Sequence, residues 1–167
     1  MDRDNHAGKN ITIGWIAGMF DGEGYIGLWR RTDHRENYRD PYRVQMTISN
    51  TDKPTIVYLS EQLKLLGIPH HIKSQRRGTV KWRENWCVTI SGMKRLKKFV
   101  DFFEEHCITK KEQMALVKEF IDRRMAVNKN VPYCDRDHEI YEQLKLLKRG
   151  VILRDYTLDA SITEVKI

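Results

Sequence analysis

The fold of this chain is decided by the stretch GWIAGMFDGEG, residues 14–24, which begins as a helix and ends in an acidic turn. Its glycines Gly14, Gly18 and Gly22 recur every fourth residue, so they lie on one face of the predicted helix. Each glycine inside a helix costs about 0.5–1 kcal/mol relative to alanine, so a stripe of glycines requires a compensating contact. Close approach of a second helix supplies it, because backbones can touch where no Cβ intervenes. The stretch therefore predicts a helix–helix interface that ends beside the carboxylate of Glu23.

Hydrophobic periodicity around this stretch predicts one α+β domain over residues 1–167. We expect a flexible leader over residues 1–10 and a C-terminal helix and tail over residues 127–167. The predicted elements are a helix over 11–21, strands over 25–32 and 42–49, a helix capped by Thr51 or Asp52 with Pro54 in its first turn, strands over 68–75 and 80–90, a helix capped by Ser91, a helix opened by Thr109 and a last helix over 135–148. This order predicts a four-stranded, largely antiparallel sheet backed by helices.

Net positive charge is concentrated in the middle of the sequence. The chain has a formal net charge of +7, and residues 25–90 contain twelve of its thirty Lys and Arg but only six of its 23 Asp and Glu. Alternation in the strands turns Ile26, Leu28, Val44, Met46, Ile48, Ile72, Trp82, Trp86, Val88 and Ile90 to one face. The other face carries Arg, Lys, Gln, Asn and Thr, the side chains that read base edges and phosphates. The pattern favours nucleic-acid binding over a merely solvated polar face.

Several other classes of protein fit this sequence poorly. Three cysteines form neither an even framework nor a CxxC pair, which indicates a reduced protein. A zinc site can be drawn from His106, Cys107, Cys134 and His138, but its spacing matches no common finger. No secretion signal or membrane-spanning stretch is present in the sequence given. We therefore expect an intracellular protein that is not secreted, in a prokaryotic cytoplasm or an organelle.

Residues 16–24, IAGMFDGEG, resemble the nine-residue signature of the LAGLIDADG homing endonucleases. The signature follows a short polar leader and precedes a strand, as in that family, and the order of elements agrees over residues 11–121. It occurs once, and single-motif members of the family are homodimers. The resemblance implies a homing-endonuclease-like αββαββα fold with C-terminal helices. It also implies a homodimeric, Mg²⁺-dependent endonuclease of intron homing that hydrolyses both strands of a long pseudo-palindromic DNA target.

The resemblance assigns roles to individual positions. Glu23 takes the metal-binding acidic place, and the backbone carbonyl of Gly22 is a further metal ligand. Asn50 matches a family position near the attacking water, and Lys110 matches the basic residue of the catalytic pocket. Lys53 and Lys111 are alternatives for a further basic residue. The expected dimer interface consists of Gly14, Ala17, Gly18 and Asp21.

Two such sheets related by a two-fold axis would span about 18–20 base pairs, since a nine-residue strand rises roughly 30 Å. The candidate DNA-binding residues are Trp29, Arg31, Arg43, Gln45, Thr47, Lys73, Gln75, Arg77, Arg83 and Asn85. The main alternative is a non-catalytic nucleic-acid binder on the same fold, such as an RNA-splicing maturase. A dimeric interaction module with a solvated basic face is a third interpretation. A His-based nuclease is disfavoured, because His70 and His71 lie in a strand without a second group of metal ligands.

Overall fold

The computed structural model of the protein describes residues 3–30, 42–75, 84–128 and 130–148. These residues form five helices and four strands in the predicted order. The elements are α1 (Arg3–Glu23), β1 (Gly24–Arg30), β2 (Tyr42–Asn50), α2 (Lys53–Leu65), β3 (His71–Gln75), β4 (Asn85–Ser91), α3 (Met93–Phe103), α4 (Lys111–Ala126) and α5 (Asp135–Lys148). The predicted α+β class is confirmed. None of the helices in the described ranges is long and apolar enough to cross a membrane.

The four strands form one antiparallel sheet in the order β1-β2-β4-β3. The side chains that β2 and β4 turn toward the helices lie in the core: Met46, Ile48, Val88 and Ile90 are fully buried. The helices cover this face with side chains such as Phe20 and Phe99, whose rings meet edge to face at 5.2 Å. The predicted alternation is thus confirmed for β2; in β4, Val88 and Ile90 are buried as predicted, but Cys87 and Thr89 of the opposite face are buried as well. Two described members of the series are less enclosed: Ile72 of β3 stays 39% exposed and Trp86 of β4 is half-buried, while Trp82 lies outside the described residues.

Three helix boundaries differ from the sequence-based prediction. Helix α1 begins at Arg3, so residues 3–10, expected as a leader, already belong to it. Ser91 does not cap α3: it is the last residue of β4, opposite Gln45, and Gly92 takes the cap position with φ +91°. Thr109 does not open α4, whose N-cap is Lys110. The prediction for α2 is confirmed, since the Asp52 carboxylate accepts the Thr55 N–H at 3.0 Å.

Candidate functional site

Helix α1 passes into strand β1 without an intervening loop. Glu23 ends the helix and Gly24 begins the strand, where it pairs with Ile48 of β2. A Cβ on Gly24 would lie 2.3 Å from Cδ2 of Phe20 and 2.4 Å from its carbonyl oxygen. Only glycine therefore fits at this junction, and it holds the carboxylate of Glu23 at the end of the sheet.

The carboxylate of Asp21 holds the segment that precedes α4. It accepts the N–H of Ile108 at 2.7 Å, the N–H of Lys110 at 3.2 Å and the hydroxyl of Thr109 at 3.0 Å. Burial would raise the pKa of Asp21, but these hydrogen bonds together outweigh it and hold the pKa below its ordinary value. Asp21 therefore joins two parts of the chain that are distant in sequence.

This arrangement delivers Lys110 to the end of α1. Its ammonium donates to the carbonyl oxygen of Asp21 at 2.9 Å and lies 6.0 Å from the ring centre of Phe20. A cation is favoured there, because the last carbonyls of a helix have no partner within the helix and carry partial negative charge. Two residues further on, Glu23 is exposed, and its carboxylate has no hydrogen bond or ion pair with any residue that the structure describes. The exposed acid Glu23 and the cation of Lys110 thus both belong to the C-terminal end of α1, without forming an ion pair.

Asn50 ends β2 two residues beyond the Gly24–Ile48 pair, at the same end of the sheet. Its side-chain oxygen accepts the N–H of Asp52 at 2.8 Å, which fixes the side chain in the turn before α2. The three predicted catalytic residues, Glu23, Asn50 and Lys110, therefore converge on the end of the sheet where α1 terminates.

The two alternative basic residues are placed differently from Lys110. The ammonium of Lys53 lies 4.4 Å from the ring centre of Trp86, which pairs with Asn50 across the sheet. Lys111 is exposed in the first turn of α4. Of the three lysines, only Lys110 has a contact with the carbonyl end of α1 among the contacts that the structure describes.

The glycine face of α1 is open in the single chain. Gly14, Gly18 and Gly22 are exposed, and a Cβ at any of them would meet no atom within 4 Å. No packing inside the described part of this chain accounts for these three glycines. Ala17 and Asp21, which were predicted at the same interface, have contacts within the chain instead. Ala17 is 1% exposed and packs in the core, and the carboxylate of Asp21 is engaged by residues 108–110.

The polar face of the sheet carries most of the predicted DNA-binding residues that the structure describes. Trp29, Arg43 and Lys73 are exposed there, and Gln45, Thr47 and Asn85 are half-buried. Gln75 belongs to β3, while Arg31, Arg77 and Arg83 lie outside the described residues. The face is more enclosed at its centre than predicted, since Cys87 and Thr89 of β4 are buried.

Sequence reasoning missed an aromatic pair on this face. The rings of Tyr25 and Trp29 meet edge to face at 4.8 Å, and the Tyr25 side chain covers Gly27, where a Cβ would lie 2.7 Å from its hydroxyl. The signal was present in the sequence as two aromatic residues flanking a glycine at alternate positions of one strand. The ammonium of Lys148, from the end of α5, lies 5.0 Å from the ring centre of Tyr25.

The zinc site drawn from the sequence is not formed. No group of three or more His, Cys, Asp or Glu side chains suited to a metal occurs among the residues described. Cys107 is buried, and burial together with the nearby Asp21 raises its pKa to about 12. Cys134 is exposed and accepts a hydrogen bond from the Arg123 guanidinium at 2.9 Å instead.

A family model described as a LAGLIDADG-like domain matches residues 10–103, which is more than half of the chain. The chain therefore belongs to the LAGLIDADG-like family, with the single-motif organisation that the sequence predicts. No curated protein sequence matches it.

Solved structures of LAGLIDADG homing endonucleases share its fold. One is I-CvuI, described in complex with the I-CreI target in the presence of Mg, with the DNA not cleaved; identity is 19%, the TM-score is 0.59, and the alignment covers 83% of each chain. Another is the archaeal intron-encoded I-Vdi141I, complexed with DNA, at 15% identity and a TM-score of 0.55 over 83% of this chain and 99% of that one. I-SmaMI, bound to uncleavable DNA, matches at 17% identity with a TM-score of 0.57, and this chain spans 44% of its length.

Proposed function

We propose that this protein is a divalent-metal-dependent homing endonuclease that cuts both strands of a long pseudo-palindromic DNA target as a homodimer. The observation that carries the proposal is the convergence at the end of α1. There Asp21 holds the ammonium of Lys110 at 2.9 Å from its own carbonyl oxygen, and the carboxylate of Glu23, two residues further along the chain, is exposed. This is the arrangement that phosphodiester hydrolysis needs, namely an acid for a cation and a lysine for phosphate charge.

The chemistry of the donors fits a hard divalent cation such as Mg²⁺. Glu23 offers carboxylate oxygens, and the carbonyl of Gly22 lies at the negative end of α1. When bound, such a cation would lower the pKa of a coordinated water and neutralise charge that develops on the phosphate. The described part of one chain supplies no cluster of three acidic or softer ligands. In the proposed homodimer, oxygens from DNA, water and the second copy would complete the site.

The second copy is expected along the glycine face of α1. Because Gly14, Gly18 and Gly22 leave open space where side chains would project, two α1 helices can approach backbone to backbone. Such pairing brings the two Glu23 carboxylates together, and their mutual repulsion would favour cation binding between them. Within each active site, Lys110 positions charge against the scissile phosphate, and the side chain of Asn50 orients the attacking water.

The polar sheet face is the proposed reading surface. Arg43 and Gln45 of β2 and Lys73 of β3 supply donors to base edges and phosphates, and two copies would follow the major groove over about 18–20 base pairs. The acidic cation site lies at the end of each sheet from which β1 starts, so the cut falls near the middle of the bound duplex. This geometry suits the double-strand break that intron homing requires.

The test is selection of cleaved sequences from a random duplex library, with Mg²⁺ and with EDTA, using the full chain. We expect an enriched pseudo-palindrome in Mg²⁺ and no cleavage in EDTA. Glu23→Gln should bind the selected duplex normally and lose cleavage by about 10³-fold or more. Glu61→Gln, which removes the same charge on the exposed side of α2, is the matched control and should cut normally.

Each alternative gives a different outcome in the same experiment. A protein that binds duplex or intron RNA tightly but enriches no cleaved sequence would be a non-catalytic binder such as a maturase. Cleavage that persists in Glu23→Gln would show that another group holds the cation. A protein with no salt-dependent affinity for nucleic acid would be an interaction module whose basic face is only solvated.

A further inference from the structure

We propose that the C-terminal end of α5 extends the DNA-contacting surface beyond the edge of β1, where Lys145 and Lys148 bind phosphates of the duplex backbone. The inference rests on the proposed function, because it assumes that the polar sheet face meets DNA. The family model ends at residue 103, so α5 lies outside the part of the chain that the family match covers.

Helix α5 is anchored firmly enough to hold side chains in place. In its first turn Asp137 accepts the Cys134 N–H at 3.0 Å and is 2% exposed between Arg123 and Arg124 of α4. In addition, His138 is hydrogen-bonded through Nδ1 to the hydroxyl of Tyr42, at 2.5 Å. These contacts fix one end of the helix against α4 and the sheet, so its other end is aimed along the edge of β1.

The far end of α5 reaches round that edge to the polar face. Leu144 is buried on the helix-covered side of the sheet, whereas one turn later the ammonium of Lys148 lies 5.0 Å from the ring centre of Tyr25. Tyr25 belongs to the polar face, since it alternates with buried Ile26 and packs on Trp29. A cation carried by a C-terminal helix is thereby placed on the surface proposed to read DNA.

The space between α5 and β1 has the charge that a phosphate requires. A cavity of about 180 Å³ lies there, lined by Tyr25, Trp29, Arg30, Tyr141, Lys145 and Lys148 among others. Among the described residues that line it, three are cations and none is acidic. In the part of the chain that the structure describes, Lys145 pairs with Glu142 at 2.8 Å, and Glu142 lies outside the cavity lining. Charge complementarity therefore selects a polyanion, and the adjoining sheet face identifies it as the DNA backbone.

A plainer role for these lysines makes a different prediction. Cations in the last turn of a helix interact favourably with its dipole and contribute about 0.3–1 kcal/mol each. That role concerns stability alone and gives no reason for the salt dependence of DNA binding to change. Phosphate contacts instead release counterions, so each one steepens the dependence of log K on log salt by about 0.9.

The experiment measures binding of the full chain to a mixed-sequence duplex by fluorescence anisotropy, over a salt titration from about 50 to 200 mM. The test variant is Lys145→Gln with Lys148→Gln, and the control is Lys64→Gln with Lys98→Gln, exposed lysines of α2 and α3. We expect the slope to become shallower by about 1.8 for each bound chain in the test variant. The slope should not change in the control or when Lys145 and Lys148 are both replaced by Arg.

The outcomes separate this inference from the proposed function. If the unaltered protein shows no steep salt dependence, the proposed function fails. If it does, and the test variant keeps the same slope or loses no more than the control, only the role of α5 is overturned. Thermal unfolding checks that each variant is folded. Should the double variant unfold, Lys145→Gln alone, whose ammonium pairs with Glu142, gives the same readout at half the size.

Discussion

Asp21 and Thr109 are joined by a 3.0 Å hydrogen bond between side chains 88 residues apart in the sequence. The two acids of the signature stretch differ in their surroundings. Asp21 accepts hydrogen bonds from the segment that carries Lys110, while Glu23 two residues later has an exposed carboxylate. Asp21 thus has a structural role at this helix end, and under the proposed function it also positions Lys110 for the chemistry assigned to Glu23.

Replacing Asp21 by Asn should weaken both stability and activity. The N–H groups of Ile108 and Lys110 donate to different oxygens of Asp21, so the NH₂ of Asn would face one of these donors and the charged acceptor would be lost; we expect a loss of about 1 kcal/mol in unfolding free energy. Under the proposed function, cleavage should fall more than DNA affinity, because Lys110 loses its place. Urea denaturation and cleavage assays measure the two effects, and Glu61→Gln, expected to stay within about 0.5 kcal/mol, is the control. Unchanged stability would mean that the segment is held by other contacts.

The contribution of Asp21 should also depend on pH. Its folded-state pKa lies below the value of about 3.9 for an unfolded aspartate, so the ionised form favours the folded state. The stabilisation is present above about pH 4 and is lost as the pH falls through the depressed folded-state pKa. The difference in unfolding free energy between the unaltered protein and Asp21→Asn should therefore be constant near neutral pH and shrink below about pH 4. A difference that grows on acidification would contradict this sign.

Gly24→Ala should destabilise the folded chain. The added methyl would lie 2.4 Å from the carbonyl oxygen of Phe20, so backbone has to move, at a cost of about 1–3 kcal/mol. Gly18→Ala is the matched control, because its methyl would meet no atom within 4 Å. The control should be as stable as the unaltered chain or gain about 0.5–1 kcal/mol, measured where the protein is monomeric. Equal effects of the two substitutions would show that the junction is not tight.

Gly18→Leu should weaken the proposed dimer without unfolding the chain. A leucine there would project from the open glycine face and separate two α1 helices that approach backbone to backbone. We expect the dimer Kd to rise at least about tenfold, equivalent to about 1.4 kcal/mol, by analytical ultracentrifugation. Glu61→Leu adds the same side chain to the exposed side of α2 and should leave the Kd unchanged. Should Gly18→Leu dimerise normally, the glycine face is not the interface.

Local sequence patterns were sufficient to predict some features of this protein and not others. Alternation identified the inward series of β2, and the Asp52 cap with Pro54 identified the start of α2, because both signals depend on neighbouring residues. The caps at Ser91 and Thr109 were wrong, since β4 extends through Ser91 and Asp21 binds the Thr109 hydroxyl. Which residue caps each helix is thus decided by contacts with residues that are far away in the sequence. The same is true of Lys148, whose contact with Tyr25 depends on how α5 packs.

Helix α1 passes directly into β1 at Gly24, so no linker residue separates helix from strand. Because side chains alternate along a strand, one residue inserted after Glu23 would turn the strand over and send Ile26 and Leu28 outward. An insertion at this junction would thus disrupt the core, whereas substitution of outward-facing side chains would leave it intact. Under the proposed function, recognition of a new DNA target would therefore arise from substitution of outward-facing side chains, with the spacing of the junction kept.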